Sequence, residues 1–353
     1  MRHEQPADAF TLLTTDPPAL SEAQAAELLR EHYGLEGTLE LQYSERDQNF
    51  LVRTNSGTEH VFKIANSAEV AAITDLQIAA LLHLEKSPPG IRVPHVVRTL
   101  AGNTSIRVTA QDGRRHTARV LSWLPGTLLE FEDFKVDAAA KMGAALASLG
   151  NALRDFEHSA SDYPLLWDIK QAGKLLTILD TVADTALRDV LQRHLEGFVI
   201  QIEPRLPDLR WQVIHNDLNP GNVLFNPDNT REVAGIIDFG DMIHTPLVVD
   251  VAVASAYLCE GGDAPLANVF EFVRGYHAVT PLQADEFELL PHMITLRNLT
   301  SLIITHWRAS RYPENRADIL RSVDYLLPII ATLGQHSPSD ISHDLQDYCD
   351  QKN

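Results

Sequence analysis

The pattern of apolar and polar positions divides the chain into a first part with short strands and a second part with long helices. In the first part, short alternating or β-rich runs occupy 38–43, 49–54, 59–64, 93–100, 104–109 and 116–124. Runs of this kind are typical of strands that bury one face. Asn55-Ser56-Gly57 and Asp112-Gly113 are turn sequences between neighbouring runs. We therefore expect a five-stranded antiparallel sheet.

Helical periodicity accompanies this sheet and then dominates the chain. A capping box, Ser21-Glu22-Ala23-Gln24, predicts a helix that ends near Gly34. A second helix is predicted over 68–86. After Leu124-Pro125-Gly126, helices are predicted over 137–156, 170–195, 246–258, 267–277, 287–308 and 315–333. Two short β-like runs interrupt them, 222–225 and 233–238, with a turn at 226–229 between them.

These elements predict an α+β fold with two lobes. The first lobe, 1–122, carries the sheet, and the second, 123–353, is mostly helical. Each lobe needs its own apolar core, so the crevice between them is the expected ligand site.

Composition excludes several classes of partner. The 353 residues include 29 Lys and Arg against 48 Asp and Glu, a net charge of -19, which argues against nucleic acid or a membrane surface as partner. The two cysteines form no CxxC pair, which suits a reducing compartment. The start of the chain lacks the apolar run of a signal peptide, and no stretch reaches ~18 uninterrupted apolar residues. We expect a soluble, cytoplasmic protein.

One polar segment carries the strongest chemical signal in the chain. His215-Asn216-Asp217-Leu218-Asn219-Pro220-Gly221-Asn222 is followed by Asp238-Phe239-Gly240. This H-x-D-x-x-x-x-N and D-F-G spacing matches the catalytic-loop and metal signatures of the protein-kinase-like fold. Asp217 is the candidate base that orients the acceptor hydroxyl, whereas we expect His215 to buttress the loop.

The hairpin that follows this loop suggests a metal site. A turn at 226–229 would bring Asn222 and Asp238 side by side. Two oxygen-bearing side chains suit Mg²⁺, which takes few protein ligands and keeps several waters. We predict Asn222 and Asp238 as its ligands.

With these motifs the chain resembles the aminoglycoside phosphotransferase/choline kinase-like family, and among its branches most the hydroxylysine kinase type. The resemblance runs from about Ser44 to about Arg321. It is carried by four segments, which are 44–50, Val61-Phe62-Lys63-Ile64, residues 215–222 (the catalytic loop) and Asp238-Phe239-Gly240-Asp241. It implies ATP or GTP, Mg²⁺, and transfer of the γ-phosphoryl group to a hydroxyl of a small molecule.

The resemblance places the nucleotide-binding residues in the first lobe. Lys63 stands where the fold has its phosphate-binding lysine, and its partner is either Asp75 or Glu69 on the following helix. The segment 44–49 occupies the position of a glycine-rich loop but contains no glycine. Either the side chains of Ser44, Gln48 and Asn49 help to cover the phosphates, or the segment is an ordinary polar hairpin.

A hinge between the lobes is predicted at Leu121-Ser122-Trp123-Leu124-Pro125-Gly126. Backbone groups near Ser122 and Trp123 are expected to bind the adenine edge. Apolar side chains would surround the base, with Ile237 among them.

The segment after Asp238 indicates a small acceptor. Residues 241–245 lead directly to the next helix, without the long activation loop and A-P-E segment of a protein kinase. Arg297 and Arg308 are candidates for an acceptor carboxylate, and Asp241 and Glu260 for its ammonium group. The arginines could equally cap carbonyls or pair with surface acids.

Both candidate sets fit an amino-alcohol or hydroxy amino acid (hydroxylysine-like) as the acceptor. An aminoglycoside phosphotransferase and a nucleotide-binding regulatory pseudokinase remain the alternatives. The sequence leaves the oligomeric state open.

Overall fold

The computed structural model describes residues 10–129, 136–260 and 265–351. It shows the predicted α+β arrangement, an antiparallel sheet followed by a mostly helical part. The strands are β1 (Gly37–Gln42), β2 (Gln48–Thr54), β3 (Glu59–Ile64), β4 (Val96–Val97), β5 (Ile106–Thr109), β6 (Arg115–Ser122), β7 (Trp211–Ile214), β8 (Val223–Asn226), β9 (Asn229–Ile236) and β10 (Ile243–Pro246). The α-helices are α1 (Thr11–Thr14), α2 (Glu22–Tyr33), α3 (Ala71–Lys86), α4 (Val136–Ala152), α5 (Thr185–Gly197), α6 (Leu247–Tyr257), α7 (Ala267–Val279), α8 (Ala284–Arg311), α9 (Arg316–Ile319), α10 (Arg321–Leu333) and α11 (Pro338–Gln351).

The sheet of the first lobe has six strands, where the sequence predicted five. Its order is β1-β2-β3-β6-β4, and β5 also pairs with β6. Lys63 lies on β3, between Asn49 of β2 and Arg119 of β6 in the register. The phosphate-binding candidate is therefore held by a neighbouring strand on each side.

The long strand predicted over 93–100 is wrong, because only Val96–Val97 pairs with β6. Pro94 has no N–H to give to a ladder. On the other side, Thr99 begins a turn that closes at Gly102, whose φ of 83° is accessible to glycine.

Helices α2 and α3 were predicted with different accuracy. The capping box at Ser21 is present, and the helix ends at Gly34 with φ 66°, as expected. Helix α3 begins at Ala71 rather than near Ala68, because the Asn66 side chain accepts a hydrogen bond from Ala68 N and holds a turn there.

In the second lobe, the single helix predicted over 170–195 is wrong. The chain forms 3₁₀ turns over Ile169–Thr181 and then starts α5 anew. Asp184 caps α5 by accepting a hydrogen bond from Leu187 N, and an N-cap residue cannot itself be helical. The predicted helix 315–333 is likewise divided into α9 and α10, and α11 was not predicted.

Two short ribbons place the catalytic residues. β8 and β9 pair as predicted, whereas β7 and β10 were missed and pair with each other. A strand therefore stands between Asp238 and α6, where the sequence predicted a direct link. The catalytic loop leaves β7 at Ile214, and the metal loop, residues 238–241, lies between β9 and β10.

The two lobes meet over an apolar surface. Ile73, Leu76 and Leu84 of α3 belong to the large apolar cluster of the second lobe. Arg92 and Gly235 also form an isolated β-bridge. Among the described helices, none has the length and apolar character needed to cross a membrane.

Candidate active site

His215 joins the catalytic loop to Ile237, the residue directly before the metal loop. Its ring Nε2 lies 3.0 Å from Ile237 O, and its Nδ1 lies 3.3 Å from Asp217 N. The tautomer with the proton on Nε2 satisfies both contacts, because that nitrogen then donates and Nδ1 accepts. The ring is fully buried, which fits the buttressing role predicted for it.

Asp250 of α6 supports the same loop from behind. Its carboxylate accepts hydrogen bonds from His215 N at 3.2 Å and from Asn216 N at 2.8 Å. Asn216 has φ 63°, a left-handed conformation that asparagine tolerates better than most residues. Burial raises the pKa of Asp250 above its usual value, against the opposing effects of His215 and of the two backbone donors. Sequence reasoning missed this residue, although an acid within the apolar run Leu247-Val248-Val249-Asp250-Val251 is a usable signal.

Asp217 is fixed by two amide side chains of its own loop. Asn219 Nδ2 donates to Oδ1 at 3.2 Å, and Asn222 Nδ2 donates to Oδ2 at 2.9 Å. Burial raises the pKa of Asp217 to about 7, with the Asp241 carboxylate acting in the same direction and Arg297 opposing both. The carboxylate is thus oriented, and its proton affinity is high for an acid.

Asn222 and Asp238 are brought together as the hairpin predicted. Ile237 N donates to Asn222 O at 2.9 Å, which places Asp238 beside Asn222. Asp238 has φ 59° and its side chain is 46% exposed. The nearby Lys63 ammonium holds the pKa of Asp238 well below its usual range.

This pair fits a magnesium ion. The Asn222 amide nitrogen points to Asp217, so its carbonyl oxygen remains for a cation, and Lys63 engages only Oδ1 of Asp238. Within the described ranges, no group of three or more His, Cys, Asp and Glu side chains could hold a metal. A site with two protein oxygens, completed by phosphate and water, is the kind that Mg²⁺ accepts.

Neither partner predicted for Lys63 is correct in this structure. Lys63 Nζ contacts Asp238 Oδ1 at 3.0 Å. Asp75 is exposed, because the neighbouring Thr74 and Leu76 occupy the buried side of α3. Glu69 is buried but accepts a hydrogen bond from Thr74 Oγ1 at 2.6 Å instead.

The segment 44–49 closes over the cleft differently from the prediction. The Gln48 side chain exchanges two hydrogen bonds of 2.9 Å with the backbone of Leu20, so in this structure it is engaged by the first lobe, and its phosphate-binding role stays a prediction. Ser44 Oγ accepts from Asp47 N at 3.2 Å. Asn49 Oδ1 is buried, and no described group donates to it.

Arg46, which the sequence analysis did not single out, joins this segment to the metal loop. Its Nη2 lies 2.6 Å from Asp241 Oδ1 and 3.0 Å from Gly240 O. Its neighbour Glu45 pairs with Arg308 of α8. The tip of the β1–β2 loop therefore carries two adjacent charges that contact the second lobe.

At the hinge, the N–H groups of Ser122 and Trp123 already have partners. Ser122 N donates to His95 O at 2.9 Å, and Trp123 N donates to Glu59 O at 3.2 Å. These two N–H groups are therefore not available to adenine in this structure. Only the carbonyl groups of Ser122 and Trp123 remain candidates for contact with the base. Leu121 and Leu224 are buried beside the hinge, and Ile237 is partly buried.

Of the four acceptor candidates, Arg297 and Asp241 lie close enough to Asp217 to change its pKa. Arg297 Nη2 is 3.8 Å from Asp217 Oδ1, and Asp241 is paired with Arg46. Arg308 pairs with Glu45, and Glu260 accepts from Asn268 at 2.6 Å. Arg308 and Glu260 are therefore engaged by other side chains in this structure, and their acceptor roles stay predictions.

Arg297 is an unusual cation because it is 2% exposed and its nearest acid, Asp217, is 3.8 Å away. Its guanidinium donates to Trp167 O and to Tyr257 Oη, both at 3.1 Å. It also lies 4.9 Å and 5.6 Å from the ring centroids of these two residues. Its Nε–H is buried and has no acceptor in the described part of the chain. Sequence reasoning missed Trp167 and Tyr257.

Comparison with known proteins places this geometry in context. The profile of the phosphotransferase enzyme family matches residues 41–287. The chain is 25% identical to a hydroxylysine kinase of Mus musculus over 322 residues, 85% of each chain. It is 29% identical to a homoserine kinase of Methylobacillus flagellatus over 251 residues, 70% of this chain and 72% of that one.

Solved structures share the fold at lower identity. A microcompartment-associated aminopropanol kinase matches 90% of this chain and 98% of its own, with a TM-score of 0.66 and 20% identity. An amicoumacin kinase solved with AMP-PNP and Ca²⁺ matches 85% and 93%, with a TM-score of 0.65 and 15% identity. These likenesses establish the kinase-like fold.

Proposed function

Because the chain belongs to the phosphotransferase enzyme family, we propose that it is a small-molecule kinase that acts on the hydroxyl group of a hydroxy amino acid or amino-alcohol. ATP or GTP is the proposed donor, Mg²⁺ the proposed metal and the cytoplasm the proposed location. One observation carries the proposal. A fixed carboxylate, Asp217, lies between a two-oxygen metal pair and a buried arginine.

Each residue of the site has a separate role in the proposed reaction. Asp217 orients the acceptor hydroxyl and takes its proton as the new O–P bond forms. The bond between the γ-phosphorus and the bridging oxygen breaks at the same time, so that the nucleoside diphosphate leaves. Lys63 would bind phosphate oxygens from β3. A magnesium ion held by Asn222 and Asp238 would neutralise phosphate charge.

The base and the phosphates have further candidate contacts. The carbonyl groups of Ser122 and Trp123 border the expected base site, with Ile237 beneath it. Next along the hinge, Leu124 N makes no hydrogen bond to the described part of the chain, which makes it the candidate donor. Ser44 and Asn49 remain candidates for the phosphates.

Arg297 and Asp241 define the proposed acceptor class. A buried guanidinium with an unused N–H group favours a carboxylate. Asp241 would bind an ammonium group once Arg46 releases it. The relatives named as hydroxylysine and homoserine kinases act, by those names, on hydroxy amino acids. A polycationic aminoglycoside is disfavoured as the acceptor, because Arg297 lies 3.8 Å from Asp217 and its positive charge would repel such a molecule.

A panel of acceptors tests the proposal. Nucleotide consumption with Mg²⁺ and ATP or GTP is measured with hydroxylysine, homoserine, aminopropanol, choline and kanamycin. We expect turnover with a hydroxy amino acid. Asp217→Asn should lower kcat by about 10²- to 10⁴-fold, the usual contribution of a general base. The matched control is Asp228→Asn, in the exposed β8–β9 turn. A pseudokinase would show no acceptor-dependent turnover and no effect of Asp217→Asn.

The role of Arg297 has its own test. Arg297→Met should raise KM at least tenfold for an acceptor with a carboxylate, because one charge-assisted hydrogen bond is lost. An acceptor without a carboxylate, such as aminopropanol, should be affected much less. Equal effects on both acceptors would contradict carboxylate binding and leave the phosphotransfer proposal in place.

A further inference from the structure

The metal loop is held from the first lobe by a side chain of α3. Gln77 is 2% exposed, and its Nε2 donates to Gly240 O at 3.1 Å and also lies 3.5 Å from Glu69 Oε2. Gly240 follows the metal candidate Asp238 by two residues. The contact joins two positions that are 163 residues apart in the chain.

The direction of this hydrogen bond is set by a buried arginine. Arg119 of β6 is 3% exposed, and its Nη2 donates to Gln77 Oε1. The oxygen of the amide therefore faces Arg119, and the nitrogen faces Gly240. An acid at this position would also satisfy Arg119 but would have no proton for the Gly240 carbonyl.

The metal loop needs such support. Asp238 has φ 59°, a conformation in which a residue with a side chain is strained and persists only when its surroundings hold it. The loop is also tightly packed, since a Cβ on Gly240 would lie 3.1 Å from both Arg46 Nη2 and Asp238 Oδ1. Gly240 O accepts hydrogen bonds from Arg46 and from Gln77.

Asp75 is exposed and has no hydrogen bond to the metal loop among the described residues, whereas Gln77 faces inward and reaches that loop. We propose that Gln77 is a positioning residue that holds the metal loop in its cation-binding geometry and couples that geometry to α3. This inference rests on the proposed function, because it assumes that Asp238 binds Mg²⁺.

Two substitutions test it. Gln77→Glu keeps the volume and the Arg119 contact but replaces the donor to Gly240 O with a carboxylate oxygen. Gln77→Asn keeps the amide but is one methylene shorter. The primary measurement is the affinity for nucleotide at a series of Mg²⁺ concentrations, by calorimetry, with no acceptor present. We expect the Mg²⁺-dependent part of the affinity to fall about tenfold in both variants, the order expected for one lost hydrogen bond.

A matched control separates positioning from stability. His83→Ala lies on the same helix and removes the contact of 2.9 Å between His83 Nε2 and Ala152 O, and among the described residues His83 has no hydrogen bond to Gln77 or to the metal loop. It should lower the melting temperature without changing the Mg²⁺ dependence. In turnover assays, the Gln77 variants should raise the Mg²⁺ activation constant and the KM for nucleotide by more than they lower kcat.

The outcomes are distinct. If the Gln77 variants bind Mg²⁺–nucleotide as the wild type does, or if His83→Ala shifts the Mg²⁺ dependence equally, the positioning role is overturned and the kinase proposal stands. If wild-type protein shows no Mg²⁺-dependent nucleotide binding, the proposed function is overturned and this inference with it.

Discussion

At the scale of residues, the candidate site contains equal numbers of acidic and basic side chains. Three carboxylates and three cations lie together at the catalytic end of the cleft. They are Asp217, Asp238 and Asp241, with Lys63, Arg46 and Arg297. Two of the acids form close ion pairs, whereas Asp217 is 3.8 Å from its nearest cation. Asp217, the proposed base, is therefore the acid with the weakest ionic partner, and burial raises its pKa to about 7.

Asn216 gives a prediction at this scale. Its φ of 63° favours glycine, and both polar atoms of its side chain are buried without a partner among the described residues. Asn216→Gly should leave the free energy of unfolding within about 1 kcal/mol of the wild type. Asn216→Ala should be less stable than Asn216→Gly by about 1–2 kcal/mol, because a Cβ strains the left-handed conformation. Urea unfolding measures both variants, and equal stability would contradict strain at this position.

At the scale of elements, short pairings position the loops. β7 and β10 have four residues each and carry no strong alternation, so neither was predicted. Their pairing is nonetheless what brings the start of the catalytic loop beside α6. Helix α6 was predicted from its apolar run, but the partner of its one acid, Asp250, depends on that strand pairing.

Asp250 gives the prediction for this element. Asp250→Ala should lower the free energy of unfolding by about 2–4 kcal/mol, because two buried N–H groups lose their acceptor. The free energy of unfolding of Asp250→Asn should lie between those of the wild type and Asp250→Ala, because one oxygen remains to accept a hydrogen bond. Ser255→Ala, on the same helix, is the control, because its buried hydroxyl has no partner in the described ranges. Chemical denaturation measures all three, and an equal loss in Ser255→Ala would contradict the assignment.

At the scale of the molecule, the first lobe contacts the second at several separate points. Arg46 pairs with Asp241, and Glu45 pairs with Arg308. The segment before α2 adds an aromatic contact of Phe10 with Trp307, at 5.3 Å between ring centroids. Through these contacts the β1–β2 loop lies against the second lobe and occupies the carboxylate of Asp241, the proposed partner of an acceptor ammonium group.

Arg46→Ala tests the contact between Arg46 and Asp241. It leaves the mostly buried Asp241 without its cation, so the β1–β2 loop and the metal loop should separate more often. Amide hydrogen exchange of 44–49 and 240–243 in nucleotide-free protein should become several-fold faster. Arg53→Ala, on the same hairpin, removes only exposed pairs with Glu40 and Glu59 and should leave these rates unchanged. Unchanged exchange in Arg46→Ala would show that the pair does not hold the two loops together.

The sequence predicted the elements whose cause is local. Helix α2 was correct because its capping box and its terminal glycine lie within the segment itself. The helix predicted over 170–195 failed because the cap at Asp184 was overlooked within a long apolar periodicity. The strand predicted over 93–100 failed because a proline and a turn interrupt β-rich residues.

In the candidate site, too, local sequence predicted some features, whereas others depend on contacts between distant residues. The sequence by itself determined Asp217, Asn222 and Asp238 as a set, because one loop and one hairpin bring them together over 22 residues. The tertiary structure decided the contacts between lobes. Lys63 contacts Asp238 across 175 residues and Arg46 contacts Asp241 across 195, so neither pair has a local signal. A local sequence pattern identifies the candidate reactive groups, whereas the packing of the two lobes decides which charged side chains contact those groups.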